Sequence, residues 1–295
     1  MPPGPTLGGV ASGNELRQFL TTRRARITPD QAGLSAYGGR RRVTGLRREE
    51  VALLAGISVE YYTQIERGSV RGVSEDILEA VARALQLDDV ERTHLFDLAR
   101  AAKQRPARAR RTPEGVRPAV QRLLDTIGDA AAFVRTSRLD MLAANRLGQA
   151  LYSDLFANPD RPPNLARFVF LDPQSQQFYR DWNGIADATV GSLRALAGRD
   201  PYNPQLTDLV GQLSMQSEQF RTRWAAHDVR EYRSGVQPFH HPLVGDLTLN
   251  YEALQLLADV DQILLVYTAE PDTPSHQALN RLANWSKPDT ADQPD

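Results

Sequence analysis

The stretch that decides the fold is Arg47 to Gly68, RREEVALLAGISVEYYTQIERG. It reads as two short helices joined by a tight turn. Val51 and Leu54 give the first helix an apolar side, and Ala52 is small where a second helix must cross closely. Gly56 falls where the turn needs left-handed backbone, which glycine adopts without steric cost. Ile57 plugs the turn into the core, and Ser58 is placed to cap the next helix with its hydroxyl. Tyr62 and Ile65, three apart, hold that helix down. The outer face is left to Val59, Glu60, Thr63, Gln64 and Arg67. A second helix presented in this way is what a helix-turn-helix lays into the major groove of duplex DNA.

The residue types on that face suit the task. Gln64 can pair bidentately with adenine, and Arg67 can reach guanine or a phosphate. Glu60 either accepts from cytosine N4 or serves the start of its helix. Arg47 and Arg48 open the first helix of the pair, where a helix N-terminus sits close to a phosphate backbone. Arg40, Arg41 and Arg42 precede them in a Gly- and Arg-rich loop. The Tyr61 hydroxyl can donate to a phosphate or the ring can simply pack.

Working outward, Glu15 to Arg26 reads as a helix with Leu16, Phe19 and Leu20 on one side. Ser74 to Leu85 opens on a serine cap with Glu75 and Asp76 in the first turn. Ile77, Leu78, Val81, Ala82 and Leu85 then recur at helical spacing. Asp88 to Ala101 is another helix, with Leu95, Phe96 and Leu98 on its apolar side. The lead-in before Glu15 is rich in Gly and Pro and reads as disordered. No strand is evident in this all-α region, which is assigned to residues 12–103.

Residues 104–115 read as a linker of Pro, Gly and charge, whose arginines could also touch phosphates. The periodicity then changes. Val116 to Ile127 is helical, and Ala131 to Val134 and Leu139 to Ala143 are short strands around Thr136-Ser137-Arg138. Helices are expected over Asn145–Leu155, Gln174–Trp182, Gly184–Ala197 and Gln205–Leu213. Strands return at Gly235–His241, Asp246–Tyr251 and Gln262–Thr268. Residues 116–286 are thus a mixed α+β domain with strands at its two sequence ends, followed by a loose tail over 287–295.

Bulk properties narrow the function classes. The chain has 295 residues, of which 41% are hydrophobic and 24% charged, and it has no cysteine. Disulfides, thiolate metal sites and cysteine nucleophiles are therefore excluded. No apolar run is long enough to span a membrane, and the N-terminus lacks the pattern of a secretory signal, so a cytoplasmic protein is expected. The net charge of -1 hides a split: residues 1–111 carry 19 Lys and Arg against 13 Asp and Glu, and the remainder 16 against 23. A basic half beside an acidic one is consistent with a polyanion partner for the first alone. No nucleophile elbow, phosphate loop or dinucleotide fingerprint is present, and no enzyme is expected. His227 and Glu231 have a spacing that metals use, but His240 and His241 would face opposite sides of a strand, and no metal site is assigned.

Beyond the motif, GRRRVTGLRREEVALLAGISVEYYTQIERG resembles the Xre-type helix-turn-helix of the MmyB-like regulators. The segments NLARFVFLDPQSQQFYRDW, ALAGRDP, LVGQLSMQSEQFRTRWAAHDVR, HHPLVGDLTLNYEAL and VYTAEPDTPS resemble that family's C-terminal domain. Coverage runs from about Leu16 to Trp285. The resemblance implies a PAS-like sensor fused to a DNA-binding domain, with a fatty acid bound in that sensor in one member. It departs at Gln64, where many members carry Arg, so no operator carries over. For the second domain, the aromatic side chains Phe168, Phe178, Trp182, Phe220, Trp224 and Tyr251 are candidate pocket walls or packed core. Arg223, His227 and Arg230 are candidates to face a carboxylate or to form surface ion pairs. The expected partners are double-stranded DNA, a small apolar ligand and a second copy of the chain, since a lone helix-turn-helix reads only a few base pairs. The competing reading keeps DNA binding but makes the second domain a docking module for a partner protein.

Overall fold

The computed structural model describes residues 7–34, 43–103, 115–157, 163–229, 233–259 and 261–285. Arg40, Arg41, Arg42 and Arg230, most of the expected linker and the tail lie outside them. The chain forms two compact units. The first holds residues 1–109, 193–211 and 222–231, and the second holds 110–192, 212–221 and 232–295.

The first unit is helical. Helix α1 (Leu7–Arg26) begins earlier than its Gly-rich start suggested, and it buries Leu16, Phe19 and Leu20. The helices α2 (Arg48–Ala55), α3 (Val59–Glu66), α4 (Glu75–Ala84) and α5 (Asp89–Lys103) follow. Their starts and stops have local causes. The Glu50 carboxylate reaches back to the Arg47 backbone N–H at 2.6 Å, closing the front of α2. Gly56 ends α2 in the left-handed conformation, with φ 67° and ψ 32°. Ser58 Oγ then accepts from the Tyr61 N–H at 3.1 Å and opens α3. Ser74 does the same for α4 through the Ile77 N–H. Val51, Ala52, Ala55, Tyr62, Ile65, Leu78, Val81, Leu95 and Leu98 meet in one core. Leu54, expected on the apolar side of α2, is instead 37% exposed and Leu53 71% exposed. Leu46, just before the helix, is fully buried, and α2 itself buries its Val51–Ala52–Ala55 edge.

The second unit is built on one antiparallel sheet of five strands, ordered β2-β1-β5-β4-β3. These are β1 (Ala131–Thr136), β2 (Met141–Ala144), β3 (Ser234–His241), β4 (Gly245–Gln255) and β5 (Gln262–Thr268). All five fall where alternation placed strands. Alternation also assigns the faces. Ala132 and Val134 of β1 and Leu264 of β5 pack under helix α6 (Pro118–Thr126), against Val120 and Leu124. On the other face lie Phe133, Leu265, Tyr267 and Phe239, covered by Tyr152 and Phe178 in edge and tilted ring contacts.

The intervening helices are α7 (Arg146–Leu151), α8 (Ser153–Phe156), α9 (Leu165–Leu171), α10 (Ser175–Phe178), α11 (Trp182–Arg199), α12 (Pro204–Gln216) and α13 (Glu218–Ala225). The expected helix over Gln174–Trp182 is confined to the single turn of α10, because Tyr179 turns extended and bridges to Phe239. Three helices went unread: α9, α13 and α14 (Pro274–Trp285). The fold is all-α in its helix-turn-helix region and α+β behind it.

Asn145 holds the start of the second unit together. Its side-chain oxygen caps α7 through the Gly148 N–H at 2.7 Å and accepts from the Ala132 N–H at 3.0 Å. Its amide nitrogen donates to the carbonyls of Ile127 at 2.7 Å and Ala130 at 2.8 Å.

Candidate nucleic-acid interface and ligand cavity

Helix α3 presents the face that its sequence predicted. Val59, Glu60, Gln64 and Arg67 are exposed, and Thr63 is half-buried with its hydroxyl donating to the Val59 carbonyl at 2.7 Å. Tyr62 and Ile65 are fully buried beneath them. Tyr61 is half-buried and packs against the core. Ser58 is spent on the cap. Arg47 is exposed beside Glu49, and Arg48 is half-exposed.

Sequence reasoning missed what orients α3. Glu66 is 1% exposed, yet it carries a carboxylate. Arg24 of α1 reaches its Oε1 at 2.7 Å, Arg48 of α2 pairs with its Oε2, and the Tyr62 hydroxyl lies 3.5 Å away. One carboxylate therefore ties α1, α2 and α3, which converts a buried charge from a cost into a register pin. Burial and that carboxylate push the Tyr62 phenol up, so it stays a neutral donor. Behind α3, Gly68 has φ 86°, and a Cβ there would meet the Gly13 carbonyl oxygen at 2.4 Å. The close passage of α1 past this turn thus requires glycine.

The same unit buries a second charged group of residues. Arg23, 2% exposed, pairs with Glu91 at 2.8 Å and Asp228 at 3.3 Å and donates to the His227 carbonyl at 2.8 Å. Arg194 pairs with Glu15 and lies 3.7 Å over the Trp224 ring. Burial pulls the Arg194 guanidinium down to about 10, which leaves it charged at neutral pH. Between these cations His94 is held down to about 3 and His227 to about 4, first by burial and then by the two arginines. Trp224 and His227 also line an open polar cleft of about 850 Å³ with Glu15, Arg17 and Arg48.

The second unit holds a smaller, partly open and more apolar cavity of about 40 Å³. Leu139, Leu165, Val169, Ile185, Ala188 and Leu265 supply its apolar wall, and Arg135, Tyr152, Tyr179, Thr189, Ser192 and Tyr267 its polar groups. The eight side chains expected around a ligand do not line it. Phe168 and Phe178 stack behind it, against Tyr179. Trp182 and Phe220 flank Phe170 in a separate cluster. Tyr251 sits on β4 beside Tyr267, and Arg223, Trp224 and His227 belong to the first unit. His240 is exposed and His241 buried, as strand alternation requires.

The comparisons with known proteins agree with this architecture. The profile of the MmyB-like transcription regulator ligand binding domain matches residues 116–282. The chain belongs to the MmyB-like transcription regulators. A helix-turn-helix domain profile matches residues 15–95 of this MmyB-like regulator, covering α1 through α3 and the helices behind them. No curated protein matches the chain. Among the described residues of the regulator, no helix is long and apolar enough to cross a membrane.

Proposed function

We propose that this regulator binds duplex DNA as a cytoplasmic homodimer and adjusts its operator affinity to a small apolar or amphipathic molecule, such as a fatty acid, held in a PAS-like domain. In this reading residues 12–103 dock on DNA, 104–115 link, 116–286 sense and 287–295 trail, and the protein catalyses no reaction. The observation that carries the DNA half is the face of α3. Val59, Glu60, Thr63, Gln64 and Arg67 share one side of a helix whose other side, Tyr62, Ile65 and Glu66, is locked inward. Arg47, Arg48 and the Arg40–Arg42 loop then supply phosphate contacts, and the homodimer doubles the number of base pairs read.

The test is a set of operator variants. Gln64→Ala is expected to cost about 1–3 kcal/mol at one base position and to leave the others alone. Arg47→Ala should weaken all sequences alike and flatten the salt dependence. An unchanged preference among operators in Gln64→Ala refutes the docking of α3.

For the sensing half, support comes from the antiparallel sheet with its aromatic-covered face and the apolar-walled cavity beside it. A second reading is favoured by one observation: about 40 Å³ is well under the roughly 300 Å³ at which drug-sized ligands are held. In that reading the second domain docks a partner protein. Organic extraction of the purified regulator followed by mass spectrometry separates the two. A co-purifying lipid supports the sensor, and a bare protein that captures one partner supports docking.

A further inference from the structure

One side of helix α1 carries a polar stripe. Asn14, Arg17, Gln18, Thr21 and Thr22 recur at the spacing of a single helical side, and all but Thr22 are exposed. With Arg48 of α2, Arg194 of α11 and Trp224 they line the open cleft of about 850 Å³, and every residue that lines it belongs to the first unit.

Three guanidiniums stand around this cleft, each committed to a different degree. Arg194 is 2% exposed. Its Nη1 pairs with Glu15 and its Nη2 donates to the Trp224 carbonyl, but its Nε is buried with no acceptor. Arg48 gives its Nε to Glu66. Arg17 is exposed and, among the described residues, pairs with no carboxylate. Set against Glu15 and Glu66, the three arginines leave one positive charge over, and His227 adds none because burial keeps it neutral. A guanidinium without a partner, flanked by hydroxyls and amides, is a ready donor set for an oxyanion. The cleft also offers a flat surface. Trp224 is half-buried, and the Arg194 guanidinium lies 3.7 Å over its ring. Guanidinium planes and indole rings both stack on the bases of nucleic acids.

We propose that this cleft binds a nucleoside monophosphate. Arg17, Arg48 and the Thr21 hydroxyl hold the phosphate, the base lies against the stacked pair of Trp224 and Arg194, and the amides of Asn14 and Gln18 serve the sugar and the base edge. Donors drawn from two helices suit a tetrahedral anion with three free oxygens better than a flat carboxylate, which one guanidinium fork satisfies. One surplus cation favours a single phosphate over a di- or triphosphate. A space of about 850 Å³ lies within the range in which small molecules are held. Arg48 is also assigned a phosphate contact in the proposed docking on DNA, so nucleotide and operator draw on one guanidinium. Each therefore weakens the other by the same factor. That link rests on the proposed docking of α3, whereas the site itself does not.

Calorimetry on the full chain at pH 7.5 compares adenosine 5′-monophosphate, adenosine and inorganic phosphate. The monophosphate is expected to bind at least about tenfold more tightly than adenosine, the factor that one charge-assisted bond supplies. It should also bind more tightly than inorganic phosphate, which has no base to stack. Arg17→Gln changes an exposed side chain and should remove most of the preference over adenosine without moving the melting temperature. Arg17→Lys, which keeps the charge without the fork, should retain part of it. Equal binding of monophosphate and adenosine overturns the arginine seat, and equal binding of monophosphate and phosphate overturns the stack. Binding of none of the three overturns the proposal. A fluorescent operator titrated with and without saturating monophosphate reads the link, and a loss of at least about fivefold in operator affinity is expected. Unchanged operator affinity with nucleotide bound breaks the link at Arg48 and leaves the docking of α3 standing. An operator preference indifferent to Gln64→Ala overturns that docking and leaves the nucleotide titration untouched. Weaker operator binding by Arg17→Gln, with nucleotide binding intact, gives the cleft to the DNA backbone and overturns the proposal.

Discussion

Each compact unit turns on one buried polar side chain, and the two are of opposite kinds. In the first, Glu66 is an ion held by Arg24 and Arg48, side chains that come from other helices and reach water. In the second, Asn145 is a neutral amide that spends itself on the backbone of Ala130, Ala132, Ile127 and Gly148, all within 18 residues. The charged pin depends on salt and joins elements far apart in sequence. The amide pin does not and sets local geometry only. The first unit therefore carries an adjustable assembly, with its buried Arg23, Arg194, His94 and His227, whereas the sheet is held by contacts that solution conditions hardly touch.

Acid should expose this contrast most strongly. His94 and His227 are held neutral in the folded state, at about 3 and about 4, below the usual 6.5. Their contribution is complete above 6.5 and drains as pH falls, because the unfolded chain takes up protons first. From pH 7 to pH 5 each should cost about 2 kcal/mol, so the amides of α1 and α5 should lose about 4 kcal/mol of protection. In the second unit burial lowers His241, while Asp246 is lowered from an ordinary value that already lies below this range, and the sheet should lose less. Hydrogen exchange resolved by segment at the two pH values measures both, and equal losses would break the comparison.

The pins themselves come next. Asn145→Ala orphans buried donors and acceptors together and should cost about 3 kcal/mol with no dependence on salt. Glu66→Gln removes a charge whose partners can turn to water, and should cost about 2 kcal/mol, shrinking in high salt. Denaturant titrations at low and high ionic strength check the pair, and a salt-insensitive Glu66→Gln would erase the distinction. The smallest effect is expected at Ser58. Ser58→Ala loses a single cap bond and should cost about 1 kcal/mol of stability, read as a lowered melting temperature.

The parts legible in the sequence were those with local causes. Gly56, Ser58, Ser74, Tyr62 and Ile65 act on neighbours within a few residues, and strand alternation in Ala131–Thr136 and Gln262–Thr268 needs no distant partner. The exposed face of α3 followed from these. Glu66 was not legible, because its partner Arg24 is 42 residues away and a glutamate near the end of a helix reads as solvated surface. Arg135 was hidden likewise, since an arginine in a strand reads as outward-facing until both faces of the sheet are known to be covered. The aromatic side chains were recognised as a set, but composition could not divide them between the packed cluster at Phe178, the Phe170 cluster and the Trp224 stack on Arg194. Leu54 was misplaced because the buried edge of α2 is centred on Val51, Ala52 and Ala55, to one side of it.

The makeup of the first compact unit bears on how this molecule can be dissected. Asp228, which Arg23 and Arg26 grip, and Arg194, which Glu15 grips, lie more than 160 residues after the helices they hold. A fragment cut at the end of α5 would leave Arg23 a buried cation robbed of Asp228 and bare the side chains that Ala195 and Val229 cover. The autonomous piece is not a stretch of chain but a patchwork of three, and tag placement, truncation and domain-swap chimeras have to respect those joins.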